Sequence, residues 1–515
     1  MMRTLETAAP ATRGVIYGLT GRLLARWSPI IVSNRAPYEP EAGGGFRRGS
    51  GGLVTALLSL AEATHAPWVA CARTRRERQL ADDTGGTQVV LRGRPPLKVH
   101  YVDSGQNRYE AYYSVIANPL LWFIQHYLWE LGREPVIDER VHRAWERGYV
   151  EVNRLLAQRV IELAAKADRT PLVMMQDYHL YLLPGFIRER LPSATLQHFV
   201  HIPWPTAEYW KVLPHAMRNA IFHGLLGNDV VGFQTPRDVS RFLSGCEELL
   251  GLRVDYQEQA VLHRGRVVWV RAYPISIDVE AMERISSSAA VRGEEQRIHS
   301  WGIEKLIVRV DRTDPSKNVP RGFLAYERLL RQHPELAGRV QFWAFLQPSR
   351  QDVAIYRDYL RTIMTTAERI NARLGTRDWL PIRLELGENI HRAVAAYRNY
   401  DVLLVNSIYD GMNLVAKEGA LLNRRNGVLV LSENAGSWYE LGEHAIVINP
   451  FDVEAGEQAL YRALSLPDEV RSRQSEQLRN AVITYEISGW IQRQLEDINE
   501  LAPPSMQVLE QSNGP

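Results

Sequence analysis

Short, largely apolar runs recur along the chain, many of them closing in polar or aromatic residues. In the first half they are Pro29–Val32, Trp68–Cys71, Val89–Leu91, Val99–Val102, Leu172–Met175, Thr195–Val200 and Asn228–Phe233. In the second half they are Val267–Tyr273, Glu304–Val310, Val340–Phe345, Ile382–Leu386, Val402–Val405, Val428–Leu431 and Ala445–Ile448. Runs this short predict strands, and an uninterrupted one such as Val402–Val405 predicts a strand buried on both faces, as in parallel sheets. Between them the apolar spacing lengthens to the helical period. Gly148–Ala167 puts Val152, Leu155, Leu156, Val160, Leu163 and Ala164 on one face. Leu53–Ala61, Leu414–Leu422, Glu454–Leu466 and Leu478–Leu501 also read as helices. Arg73–Gly86 is charged and expected to be exposed. Strands alternating with helices in both halves predict an α/β protein with two open parallel sheets, joined by a crossover at Pro274-Ile-Ser-Ile-Asp278.

In such sheets ligands bind beyond the carboxyl ends of the strands, so the polar closures carry the candidate chemistry. The first run ends in Ser33-Asn-Arg35 and is followed by glycine-rich Gly43-Gly-Gly45 and Gly49-Ser-Gly-Gly52. The spacing is not a dinucleotide fingerprint. Two further runs end in Gln176-Asp-Tyr-His-Leu180 and His201-Ile-Pro-Trp-Pro205, which bring Asp177, His179 and His201 to one sheet edge. In the second half Glu304–Val310 ends in Asp311-Arg-Thr-Asp-Pro-Ser-Lys317. There Arg312 and Lys317 suit a diphosphate, one cation bidentate and the other a mobile point charge. Val402–Val405 leads through Asn406-Ser-Ile-Tyr-Asp410-Gly411 into a helix that carries Glu418. A strand, a tight turn and a helix N-terminus make an anion site, and Asp410 and Glu418 add acceptors for hydroxyl groups. Taken alone, that stretch reads equally well as an ordinary strand-to-helix turn.

Composition narrows the picture. At 515 residues the chain is too long for one core. A net charge of +2 gives no electrostatic case for nucleic acid or a membrane surface. Two distant cysteines, Cys71 and Cys246, suggest neither a disulfide framework nor a zinc site and fit a reducing cytoplasm. No apolar run reaches transmembrane length. Residues 1–27 lack a signal-peptide core and read as an N-terminal extension, and 502–515 as a disordered tail. The 13 tryptophans and 22 tyrosines suit a sugar site, although core packing is their commoner use.

With these residues in place, the chain resembles the trehalose-6-phosphate synthase family of retaining glycosyltransferases over about Pro29–Leu501. The matching motifs are Val32-Ser-Asn-Arg35, Gly51-Gly52, Tyr113 with Trp122, Asp177-Tyr-His-Leu180, His201-Ile-Pro-Trp-Pro205, Arg312 with Lys317, Arg350, and Asp410-Gly-Met-Asn-Leu-Val-Ala-Lys-Glu418. The resemblance implies two Rossmann-like domains of GT-B type with the active site in the interdomain cleft. They would be an acceptor domain at 28–273 and a nucleotide-sugar domain at 274–475, with a helix at 476–501 crossing back. It implies that Arg312 and Lys317 bind the donor diphosphate and that Glu418 holds the ribose. Asp410 with Gly411, Met412 and Asn413 would hold the transferred glucose, which His201 would also contact. Leu414 and Val415 would lie near the diphosphate and nucleoside, and Gly51 and Gly52 would close over the donor. Arg35, Tyr113, Trp122 and Arg350 would hold glucose 6-phosphate, with Asp177 on the acceptor sugar. Asp177, His201, Arg312, Lys317 and Asp410 would carry the chemistry. No metal or other cofactor is expected, because Arg312 and Lys317 stand where many nucleotide-sugar enzymes use a metal. The expected partners are the small-molecule substrates and further copies of the chain, and no phosphatase-like second module is expected.

Three features depart from the commoner family pattern: Thr313-Asp-Pro-Ser-Lys317-Asn318, Asn406-Ser407, and His201-Ile-Pro-Trp-Pro205 with Tyr209-Trp210. They are similar to validoxylamine 7′-phosphate synthase, which couples two cyclitols from a GDP-linked donor. The expected donor is therefore GDP-glucose or UDP-glucose, leaning slightly to GDP. A cyclitol-coupling enzyme is the alternative.

Overall fold

The structure is a computed structural model that describes residues 20–21, 23–41, 45–48, 52–81, 86–89 and 96–500. These fall into two units, one within Met1–Ile124, Leu131–Tyr273 and Ser488–Pro515, the other formed by Gln125–Glu130 and Pro274–Ile487. Gly51, most of the 1–27 extension and the 502–515 tail lie outside the described residues.

Unit 1 is built on a ten-stranded sheet. Its central strand, Trp27–Ser33, pairs in parallel with Trp68–Cys71 on one side and Thr170–Gln176 on the other. Leu97–Val102 extends the first side in parallel, and Thr87–Val89 closes it antiparallel. Thr195–Phe199, Val230–Phe233 and Arg266–Ala272 extend the second side in parallel. Ala260–His263 and Val254–Asp255 form its antiparallel border, which the apolar runs did not reveal. Unit 2 has a six-stranded, wholly parallel sheet in the order Ile382–Leu386, Val340–Gln347, Lys305–Arg312, Val402–Val405, Val428–Ser432, Ile446–Ile448.

Both sheets follow one logic. The chain enters at a central strand, builds outward on one side, then returns to build on the other. The strand order therefore reverses between Trp27–Ser33 and Thr170–Gln176 in unit 1, and between Lys305–Arg312 and Val402–Val405 in unit 2. At such a point neighbouring loops part and leave a crevice.

Val402–Val405 is buried throughout, as its apolar run requires. Leu403 packs under the helix Leu414–Leu422 because that helix carries a glycine. A Cβ on Gly419 would meet Leu403 Cδ2 at 2.3 Å. Truncating Leu403 to alanine would cost about 2–5 kcal/mol. Trp27, Trp68, Trp204, Trp210, Trp343 and Trp490 are fully buried, so much of the aromatic content serves the cores.

Four expectations are corrected. Arg73–Gly86 is not simply exposed: Arg75–Ala81 is a helix whose Glu77 is buried. Glu77 Oε2 accepts from the backbone N–H of Arg73 (2.8 Å) and Thr74 (2.7 Å), while Thr74 Oγ1 accepts from the Glu77 N–H at 3.2 Å. This is a capping box, which repays the burial of that carboxylate. Leu478–Leu501 is two helices, Asp468–Thr484 and Ile487–Glu500. The apolar rhythm spans the break because two cores share it. Leu478 and Val482 belong to the unit 2 core, whereas Trp490 packs edge-on to Phe199 of unit 1. The return to unit 1 thus begins at Ser488, not at 476. Finally, Gln125–Glu130 belongs to unit 2, where the Tyr127 ring lies 4.6 Å from that of Tyr409.

Candidate active site

The switch point of unit 2 gathers the predicted donor residues. The strand Lys305–Arg312 delivers Arg312, and a short 3₁₀ turn, Pro315–Lys317, delivers Lys317. The turn is held from inside. Asp314, fully buried, accepts from Ser316 N (3.1 Å), Ser316 Oγ (2.9 Å) and Arg350 Nη1 (2.8 Å). Burial pushes the Asp314 carboxyl up, but Arg350 and Arg312 outweigh it and hold it below the ordinary carboxylate range.

Lys317 Nζ donates to Asp410 Oδ2 in a close ion pair. The same oxygen accepts from Asn413 Nδ2 at 3.0 Å and Ser407 Oγ at 3.1 Å. All three contacts fall on Oδ2. Burial raises the Asp410 carboxyl, but Lys317, His126 and Asn413 more than offset this and keep it ionised. Gly411 and Met412 follow in a loop that touches its neighbour closely. Ser437 N donates to Met412 O at 2.8 Å, and a Cβ on Gly436 would lie 1.8 Å from Gly411 O. Asn413, at φ 68, caps the helix Leu414–Leu422 by accepting from Ala416 N. Leu414 and Val415 form its first turn, where backbone N–H groups have no intrahelical acceptor. One turn on, Glu418 accepts from Tyr397 OH at 3.0 Å. Burial pushes its carboxyl up to about 7, against the opposing pull of Tyr397. The arrangement offers a cation pair, a helix N-terminus and two carboxylates at one strand edge, which fits a sugar diphosphate.

The switch point of unit 1 gathers another set. Arg35, exposed beyond the first strand, donates from Nη2 to Tyr113 OH at 3.2 Å. Tyr113 lies on a π-helix, Ala111–Leu121, stacked between Tyr109 (5.6 Å) and His179 (5.8 Å). Trp122 follows that helix, 5.5 Å from the Tyr178 ring. Asp177 has φ 73 and ψ 173, a region other residues leave almost entirely to glycine. Its Oδ1 accepts from His201 N at 3.1 Å. His201 Nε2 lies 2.9 Å from Gln176 Oε1, and burial pushes the imidazole down to about 3, so the ring is neutral. It therefore acts as a hydrogen-bonding group and not as a cation.

Arg35, Tyr113, Trp122, Asp177 and His201 thus come together in unit 1, and Arg312, Lys317, Asp410–Val415 and Glu418 in unit 2. Arg350 belongs to unit 2, where Nη1 also donates to Tyr356 OH at 2.6 Å. Gly52 opens the helix Gly52–Thr64. Sequence reasoning gave no role to Gln176 or Arg309, whose contacts depend on groups meeting across the fold. It also read Asn406 and Ser407 as bearing on the donor base. Both are buried and turn toward Asn318 and Asp410 respectively. Among the described residues no group of three or more His, Cys, Asp or Glu could hold a metal ion, and no helix is long and apolar enough to cross a membrane.

The chain is 34% identical over 478 residues to a bifunctional trehalose-6-phosphate synthase/phosphatase of Thermoproteus tenax, covering 90% of this chain and 62% of that one. It is 33% identical over 473 residues to alpha,alpha-trehalose-phosphate synthase [UDP-forming] 2 of Aspergillus fumigatus, covering 90% and 95%. The crystal structure of a UDP-forming alpha,alpha-trehalose-phosphate synthase from Burkholderia xenovorans, in complex with glucose-6-phosphate, superposes with a TM-score of 0.78. That match has 27% identity and covers 91% of this chain and 99% of that one. Residues 28–500 match the model of glycosyltransferase family 20, and the chain belongs to that family.

Proposed function

We propose that the protein is an α,α-trehalose-phosphate synthase that transfers glucose, with retention, from UDP-glucose to glucose 6-phosphate. The observation that carries this reading is the Lys317–Asp410 pair at the unit 2 switch point, a cation at a strand end fixed on one oxygen of a carboxylate that Ser407 and Asn413 also hold. Arg312 and Lys317 take the diphosphate and stabilise the charge that grows on it as the glycosidic bond breaks. Asp410 Oδ1 and the amides after it take hydroxyls of the transferred glucose, and Glu418 takes the ribose. Arg35 with Tyr113 takes the acceptor phosphate, and Asp177 takes an acceptor hydroxyl.

Retention by double displacement would need a carboxylate nucleophile paired with an acid. Asp410 is instead held in an ion pair. The acceptor therefore attacks from the face the diphosphate leaves, and a diphosphate oxygen receives the acceptor's proton. Positioning and stabilisation of the leaving charge are what the residues supply, so turnover is independent of added metal and survives chelation.

Two observations favour UDP over GDP. The relatives are UDP-forming, and the Asn406-Ser407 departure that suggested GDP is spent on internal contacts. The test incubates purified protein with glucose 6-phosphate and UDP-, GDP- or ADP-glucose and measures nucleotide release. Fastest release from UDP-glucose is expected. No release from any donor overturns the function, and a preference for GDP-glucose overturns the choice of base.

A further inference from the structure

The two loops of the donor site are joined beneath it by polar contacts that the reaction does not use. Asn318, at φ 59, closes the diphosphate loop. Its Nδ2 donates to Asn406 O at 2.9 Å and Pro450 O at 2.7 Å, two carbonyls that fix the orientation of the amide. Asn406 Nδ2 donates back to Asn318 O at 3.2 Å. Below this pair lies Arg309, wholly buried in the strand, with Nε and Nη2 on Asp311 Oδ2 at 3.0 and 2.8 Å. Its Nη2 also donates to Lys317 O at 2.7 Å, which pins the backbone of the diphosphate-binding lysine. A buried guanidinium is costly to desolvate and is kept where its geometry is useful. On the donor turn, Ser407 Oγ donates to Asp410 Oδ2 and accepts from Asn413 Nδ2 at 3.1 Å. Its carbonyl accepts from Ser432 Oγ at 2.7 Å.

We infer that Arg309, Asn318, Asn406 and Ser407 form a positioning frame that makes the diphosphate loop and the donor-sugar turn a single rigid body. Arg309 fixes where the Lys317 main chain sits, and the Asn318–Asn406 exchange fixes the spacing of the two loops. Ser407, with Lys317 and Asn413, saturates one oxygen of Asp410, so the other faces the sugar in one orientation. All four are buried, and the bonds named here are to other parts of the protein. Asn406 and Ser407, the flank that departs from the commoner family pattern, thus carry donor geometry and not base choice. The inference rests on the reading of Lys317 and Asp410 as donor residues.

The test has two arms that fail separately. The first is hydrogen–deuterium exchange on the unliganded protein with no substrate. Asn318→Gly keeps the backbone conformation, since glycine adopts φ 59 freely, and removes only the side-chain bonds. The expected result is at least about tenfold faster exchange in both loops, 312–318 and 406–413, the size of one or two lost buried hydrogen bonds. Faster exchange confined to the mutated loop overturns the frame, whatever the protein's activity. The second arm is kinetic. Asn318→Gly, Asn406→Ala and Ser407→Ala each raise the KM for the nucleotide sugar about five- to tenfold and leave the KM for glucose 6-phosphate unchanged, with Ser407→Thr restoring most of the loss. Asn318→Gly removes the bonds to Asn406 O and Pro450 O, and Asn406→Ala the separate bond to Asn318 O; the double variant Asn318→Gly/Asn406→Ala is no worse than the poorer single one, because either loss already frees the spacing of the two loops. Equal rises in both KM values, or additive effects, overturn the assignment. Arg309→Met leaves Asp311 buried and unpaired and serves only as a supporting variant, with the other three deciding the case if it does not fold.

Discussion

The two switch points meet charge in opposite ways. In unit 2 the cations come with their own counter-charges: Lys317 sits on Asp410, and Arg350 on Asp314. In unit 1 the exposed guanidinium of Arg35 donates to a neutral phenol, Tyr113, and the walls are aromatic rings. The first arrangement is a site whose geometry exists before the ligand arrives, so little reorganisation remains when charge develops on the leaving group. In the proposed function the second is completed by the acceptor's phosphate. A donor site that must stabilise a transition state and an acceptor site that must recognise a phosphate would differ in this way.

The sharpest way to break the contrast is to remove the unit 2 cation. Lys317→Ala withdraws the proposed diphosphate contact and leaves the buried Asp410 carboxyl without its Lys317 counter-charge. kcat/KM for the nucleotide sugar should fall about 10³-fold, the scale of losing a preorganised charge contact. Lys317→Ala/Asp410→Ala should fall no further, since the two act as a unit. Measured nucleotide release decides it, and a loss below tenfold removes the pair from the donor site. In unit 1, Arg35→Ala should raise the KM for glucose 6-phosphate about 10- to 100-fold, the value of a charge-assisted bond to phosphate. The donor KM should hardly move. With unphosphorylated glucose as acceptor, variant and parent should perform alike. A difference there would show that Arg35 does not read the phosphate.

The sequence was most informative where burial is two-sided. Unbroken runs marked Trp68–Cys71 and Val402–Val405 to the residue, and polar residues at strand ends marked Arg312, Lys317 and Asp410, because a parallel sheet places function at those ends. It was least informative where one side chain's role depends on another far along the chain. Ser407 takes its meaning from Asp410 and Ser432, and Arg309 from the carbonyl of Lys317. The π-helix Ala111–Leu121 escaped notice because Pro119 and the Tyr112–Tyr113 pair interrupt helical periodicity. Gln125–Glu130 gave no sign of belonging with unit 2, since contacts such as that of Tyr127 with Tyr409 join residues far apart in the chain.

Strain gives a smaller, testable difference within unit 1. Asp177 holds a glycine-like backbone conformation, so its side chain must justify the cost of about 1–3 kcal/mol. Asp177→Gly and Asp177→Ala should both impair acceptor use, but Asp177→Gly should be the more stable by about 1–2 kcal/mol in denaturant unfolding. Equal stabilities would show that the backbone there is not strained.

The smallest effect expected is a pH dependence confined to unit 2. Burial raises the Glu418 carboxyl to about 7, while the neutral His201 of unit 1, lowered to about 3, does not titrate near neutrality. Below pH 7 Glu418 is protonated and can accept fewer hydrogen bonds from ribose hydroxyls. Nucleotide affinity should therefore rise a few-fold as pH increases from about 6 to 8. Fold stability runs the other way. Unfolded, the carboxyl ionises near its ordinary value of 4.5. Between there and about 7 the native state holds a proton that the unfolded state has lost, so this group's contribution to stability falls as pH rises through that window. Glu418→Gln should flatten both trends, with nucleotide affinity near the protonated parent's at every pH. Calorimetric titration of UDP at several pH values measures the first and denaturant unfolding the second. A Glu418→Gln protein whose nucleotide affinity kept the parent's pH slope would move that titration to another group and leave the ribose without its proposed carboxylate.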